Sequence, residues 1–176
     1  MPWVAEPEGL NMVGTRRRSY EAGHKPKFLV VLDESEECDR AVVFAARRVA
    51  RTGATMTMLA VTEVEKNQDW IAIGDIMQQE AEERAAALLD LAAARVRDLV
   101  GIEAEQIIRN GSKFEQVLGL IEADPDIAFL VLGASCGNDG PGPMVMMLTG
   151  KAAGTFPIPV VIVPGSLTDE DIQALA

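Results

Sequence analysis

From Lys27 to Gly165 the sequence predicts a doubly wound α/β fold, a five-stranded parallel sheet with helices on both faces. Three observations carry this. Five short β-branched or aliphatic runs recur along the chain, longer stretches with apolar residues at helical spacing separate them, and most of the runs stop sharply at Gly, Asn-Gly or Pro-Gly. Strands buried on both faces read as continuous apolar runs, and helical crossovers are the normal way to join parallel neighbours.

The first strand is Phe28-Leu29-Val30-Val31-Leu32, ending at Asp33. Ser35 then precedes Glu36 and Glu37, a helix start in which the hydroxyl is expected to cap and the acids oppose the positive helix end. Val42, Ala45 and Val49 line one face of that helix, which stops near Gly53. The second strand runs from about Thr55 to Thr62, and a long helix follows from about Ile73 to Val100. Its predicted buried stripe is Ala81, Ala85, Leu88, Ala92, Val96 and Leu99. The third strand, Glu105 to Arg109, stops at Asn110-Gly111, and Ser112 is expected to cap a helix through Phe114, Val117, Leu118 and Ile121. The turn Asp124-Pro125-Asp126 leads into the fourth strand, Ile127 to Leu132, which stops at Gly133. The fifth strand, Val160 to Val163, stops at Pro164-Gly165.

A chain of 176 residues and 18.9 kDa suits one domain with tails. Residues 1–26 are read as a flexible N-terminal extension carrying Arg16-Arg17-Arg18, residues 27–165 as the domain, and residues 166–176 as a C-terminal tail. A net charge of -11 opposes a phosphate backbone, so nucleic acid is not an expected partner. No apolar run reaches the length of a membrane span and none follows the arginines as a signal core, so the expected location is cytoplasmic. Cys38 and Cys136 lie in no metal-spaced cluster and the one histidine, His24, sits in the extension. Neither a metal cofactor nor a histidine relay is expected.

In a doubly wound sheet, ligands bind beyond the carboxyl ends of the strands where the order reverses, here the first and fourth strands. The loop after the fourth strand runs from Gly133 to Gly150 and is glycine-rich, which lets backbone amides approach an anion. It is not a phosphate-binding P-loop, because Ala152 follows Gly150-Lys151 and Val145 stands where the first glycine belongs. The GxGxxG pattern is absent after the first strand, where Asp33, Glu34, Glu36 and Glu37 repel phosphate. Phosphate is therefore expected on the fourth-strand side, with Asp33 toward a base or ribose.

Val30-Val31-Leu32-Asp33-Glu34-Ser35, the β-α alternation and the ending Phe156-Pro157-Ile158-Pro159-Val160-Val161-Ile162-Val163 resemble the universal stress protein family, within the wider adenine nucleotide α-hydrolase-like fold. The resemblance implies strand order 3-2-1-4-5, a homodimer paired through Val160 to Val163, and a non-enzymatic regulatory role with an ATP-binding or a non-binding variant. Binders carry GxxGx9G(S/T) after the fourth strand. Here Gly133 has the wrong spacing to Gly137, whereas Gly137, Gly140 and Gly150 reproduce it four residues late, with Lys151 in place of the hydroxyl. The resemblance also matches Asp33, Val31 and Val61 to residues around the nucleotide. The implied ligand is ATP or AMP, held weakly by Val31, Asp33, Val61, Gly133, Gly137, Gly140, Gly150 and Lys151. Alternatives are a non-binding interaction protein of the same family, a receiver-like signalling domain and an adenylating or hydrolytic enzyme. Asn110 and Pro164 stand where a receiver needs Asp and Lys, and the loops supply no histidine base to an enzyme.

Overall fold

A computed structural model describes residues 15–63 and 71–176. In chain order the elements are β1 (Lys27–Leu32), α1 (Glu36–Thr52), β2 (Thr55–Thr62), α2 (Ile71–Val100), β3 (Glu105–Asn110), α3 (Lys113–Ala123), β4 (Ile127–Ala134), α4 (Pro143–Thr149), β5 (Val160–Pro164) and α5 (Asp169–Leu175). The strands form one parallel sheet in the order β3-β2-β1-β4-β5, as expected.

Alternate residues of the central strands feed two cores, because successive side chains point to opposite faces. Phe28, Val30 and Leu32 of β1 pack with α1 and α2, while Leu29 and Val31 pack with α3 and α4. On α2, Ala85, Leu89, Ala93 and Val96 are buried, whereas Ala81, Leu88, Ala92 and Leu99 of the predicted stripe are half-buried. The apolar face is wide enough to include both rows, and the sheet takes its centre one residue further round.

Both predicted serine caps are corrected. Ser35 and Ser112 occupy the N-cap positions of α1 and α3, but neither side chain caps its helix. Ser35 turns back to Asp33: its hydroxyl and its backbone N–H, the latter at 3.0 Å, both donate to Asp33 Oδ1. The three acids Glu36, Glu37 and Asp39 still face the positive end of α1.

The stretch Gly133 to Gly150, read as one long loop, instead holds the last two residues of β4 and the seven residues of α4. Pro143 opens α4 at its first turn, where a missing N–H is tolerated, and Gly142 before it adopts a φ of 103°, which side chains rarely accept.

The segments read as tails are joined to the body. Of the N-terminal extension, residues 1–14 lie outside the described residues. From Thr15 onward the chain is anchored, because Arg17 Nη1 donates to the carbonyls of Ile121 and Asp124, satisfying the end of α3, and Arg18 and His24 pair with Asp126. At the other end, Thr168 and Asp171 form a reciprocal capping box at the start of α5, and Ile172 is fully buried against Val43. Arg40 and Arg95 join Asp39 on α1 to Asp169 on α5, so α1, α2 and α5 share one ion-pair network. Helix α5 therefore lies on α1, and β5 remains an edge strand of the sheet.

Candidate functional site

A cavity of about 460 Å³ opens at the carboxyl ends of β1 and β4, the place where the strand order reverses. Its walls are mostly apolar: Val31 and Leu132 from the strands, Phe114 from α3, and Pro143, Val145 and Met147 from α4. Among the described residues, its charged ones are Asp33, Glu37, Glu63 and Lys113. This is the composition of a site that surrounds an apolar ring system and orients it with a few polar groups.

Asp33 reaches the cavity because β1 ends at Leu32 and the chain turns sharply into α1. Oδ1 holds that turn through Ser35, which leaves Oδ2 to face Lys113 Nζ at 3.6 Å. Lys113 is the first residue of α3, and its backbone N–H donates to Glu63 Oε1 at 3.1 Å. A carboxylate from the end of β2 thus sits at the positive end of α3. Cys38 lines the cavity with its thiol near the carbonyl of Val31, and burial pushes its pKa up to about 11. It is protonated at neutral pH and a poor nucleophile.

Of the residues singled out from sequence, Val31, Asp33 and Gly133 line this cavity, whereas Val61, Gly137, Gly140, Gly150 and Lys151 do not. Val61 packs against the core on the α3 side of the sheet. Gly133 has a structural reason to be glycine: a Cβ there would lie 2.3 Å from the carbonyl oxygen of Glu37, so β4 and the first turn of α1 meet only without a side chain. The three remaining glycines have their amides engaged within the loop. Gly137 N–H donates to Ser135 Oγ at 3.1 Å, Gly140 N–H to the Gly137 carbonyl at 3.4 Å, and Gly150 N–H to the Met147 carbonyl at 3.3 Å. Lys151 is exposed.

Sequence reasoning placed Glu37 beside the site only as an acid that repels phosphate, and it missed Glu63, Ser112, Lys113 and Phe114 as lining residues, along with the wall from α4. The available signal was topological. In a parallel sheet every βα junction opens on the same edge, so Thr62-Glu63 and Asn110-Gly111-Ser112-Lys113 stand on the same edge as Asp33. Asp33, Ser35 and Cys38 also border a second groove, of about 430 Å³, on the other face of the sheet between α1 and α2, with Leu88, Leu91 and Arg95 on its far wall.

The fold is shared with solved structures. Universal stress protein UspA from Lactobacillus plantarum superposes with a TM-score of 0.67 at 17% identity, covering 78% of this chain and 97% of that one. A universal stress family protein from Burkholderia pseudomallei gives a TM-score of 0.61 at 17% identity, with coverages of 78% and 95%. A universal stress protein solved in complex with cAMP gives 0.57 at 17% identity, with coverages of 80% and 98%. No curated protein sequence matches the chain. The sequence model of the universal stress protein family matches residues 26–164, the whole sheet and the helices between its strands, and the chain belongs to that family.

Proposed function

We propose that this protein is a non-catalytic binding member of the universal stress family that takes an adenine nucleotide weakly in the cavity at the ends of β1 and β4, and that it works as a homodimer. The observation that carries the reading is the cavity itself: an apolar slot at the switch point, with the Asp33 carboxylate at its mouth to accept from a base amino group or a ribose hydroxyl. The relative solved with cAMP supports an adenine ligand for this fold.

Weak binding follows from the loop. Phosphate retention needs free amide donors, and those of Gly137, Gly140 and Gly150 already have partners. The non-catalytic reading is supported by the lining residues: the Cys38 thiol is held protonated, and the Ser35 hydroxyl and the Asp33 carboxylate are committed to the turn between β1 and α1, with Asp33 also facing Lys113. The loop geometry also favours a second reading, a family member that binds no nucleotide and serves through contacts with other proteins.

Calorimetric titration with AMP separates the two. A dissociation constant above ~10 µM, about -6.8 kcal/mol or weaker, supports the first reading. Absence of heat and of competition at millimolar AMP supports the second. For the dimer, β5 is an edge strand that presents Val160 to Val163 for pairing, with Pro159 and Pro164 at its ends. Light scattering should give twice the 18.9 kDa chain mass, and a monomer at micromolar concentration would refute the pairing.

A further inference from the structure

We propose that the cavity at the ends of β1 and β4 selects against polyphosphates, taking adenosine or a singly phosphorylated adenine compound in preference to ATP. This rests on the adenine reading above and adds the charge class of the ligand. Among the described residues four charged side chains line the cavity, and three of them, Asp33, Glu37 and Glu63, are acidic. The one cation among them, Lys113, already faces Asp33 at 3.6 Å. The cavity therefore carries a net negative field into which each further ligand phosphate brings more negative charge.

Among the described residues, two helix ends beside the cavity could offset that charge, and each has lost part of its donor set. The positive end of α3 holds the Glu63 carboxylate on the Lys113 N–H, so the chain's own anion stands where a ligand phosphate would dock. On the opposite side, α4 begins with Pro143, which has no N–H to offer, and the N–H of Met146 already donates to the Gly142 carbonyl at 3.0 Å. Lys151, the cation that sequence spacing assigns to the phosphates, does not line the cavity. Among the described residues the lining therefore offers apolar surface for a ring, a carboxylate for its hydrogen-bond donors and an excess of acids over cations, which suits a nucleoside better than a triphosphate.

The test is a calorimetric comparison of adenosine, AMP and ATP on the wild-type protein, without divalent cations, at low and at high salt. Adenosine should bind at least about tenfold more tightly than ATP at low ionic strength, with AMP between, and salt should narrow the gap because exposed charges are screened. In a Glu37→Gln, Glu63→Gln double variant, checked for folding by circular dichroism, the ATP-to-adenosine ratio of dissociation constants should fall toward one. ATP binding as tightly as adenosine, or more tightly, would overturn the inference while leaving the adenine reading intact. A gap that salt does not change would overturn its electrostatic basis. Failure of all three compounds to bind would remove the adenine reading, and the inference with it.

Discussion

Replacing Gly133 by alanine is expected to destabilise the fold although it adds a single methyl group. The added Cβ would stand 2.3 Å from the carbonyl oxygen and 2.7 Å from the carbonyl carbon of Glu37, both rigid backbone atoms in the first turn of α1. Real contacts of this kind stay beyond 3.0 Å, so α1 and β4 must separate by at least about 0.7 Å, a displacement that also disturbs the packing of Cys38 beneath it. Overpacking of this kind costs about 1–3 kcal/mol, and the lower freedom of alanine in the unfolded chain returns about 0.4–1 kcal/mol. A net loss of about 1.3 kcal/mol lowers the melting temperature by about 3–5 °C in a chain of this size. Gly74 in α2 is the internal control: its Cβ position meets no atom within 4 Å, so alanine there should gain about 0.5–1 kcal/mol from helix propensity. Urea unfolding of both variants reads the difference as a shift in midpoint at constant slope. A Gly133→Ala midpoint equal to or above that of the wild type would show that the glycine is not there for helix–strand packing.

Truncation of Ile172 to alanine should cost about 2–5 kcal/mol, because its side chain is fully buried against Val43 and holds α5 on α1, and urea unfolding will show whether α5 belongs to the folded unit. Thiol labelling of the native protein should titrate one cysteine per chain, since Cys136 is exposed while burial keeps Cys38 protonated; two fast-reacting thiols would contradict the packing of α1. Stability should fall on acidification below about pH 4. The Asp126 carboxyl is held low by His24 and Arg18, and that of Asp171 by the Thr168 backbone N–H. Burial would raise Asp39, but hydrogen bonds from Arg95 and Arg40 outweigh it and hold it below the usual carboxylate range. A carboxylate whose folded pKa lies below its unfolded one stabilises above the unfolded value and loses that contribution as pH drops through the folded one. Asp39→Asn should flatten the profile, and an unchanged acid slope would refute the role of the α1–α2–α5 network.

The sheet was largely legible in the sequence because its strands, apart from the polar edge strand β3, are apolar runs punctuated by residues that cannot continue them. Asn110-Gly111 and Pro164-Gly165 mark strand ends that the structure places within one residue of the expected stop. The fourth strand shows the limit of that logic: Gly133 reads as a terminator, but it sits inside β4, where its missing side chain admits α1. Contacts between distant segments left no local pattern. Nothing near Arg17 announces that it closes the end of α3, more than a hundred residues away. Likewise, spacing favoured Lys151 as the cation at the site, whereas the fold delivers Lys113 from the β3–α3 junction. A glycine-rich loop signals freedom of approach, but not whether its amides have already found partners within the loop.

The most direct test of the proposed site is to map AMP onto the protein by chemical-shift perturbation of backbone and methionine methyl resonances at saturating ligand. Shifts should concentrate at Val31, Asp33, Gly133 and Ser112 to Phe114, and at the methyls of Met144 and Met147, while Lys151 and the Leu88–Leu91 wall of the groove between α1 and α2 stay unmoved. Perturbations centred on Gly137, Gly150 and Lys151, or on that second groove, would place the ligand elsewhere and contradict the account.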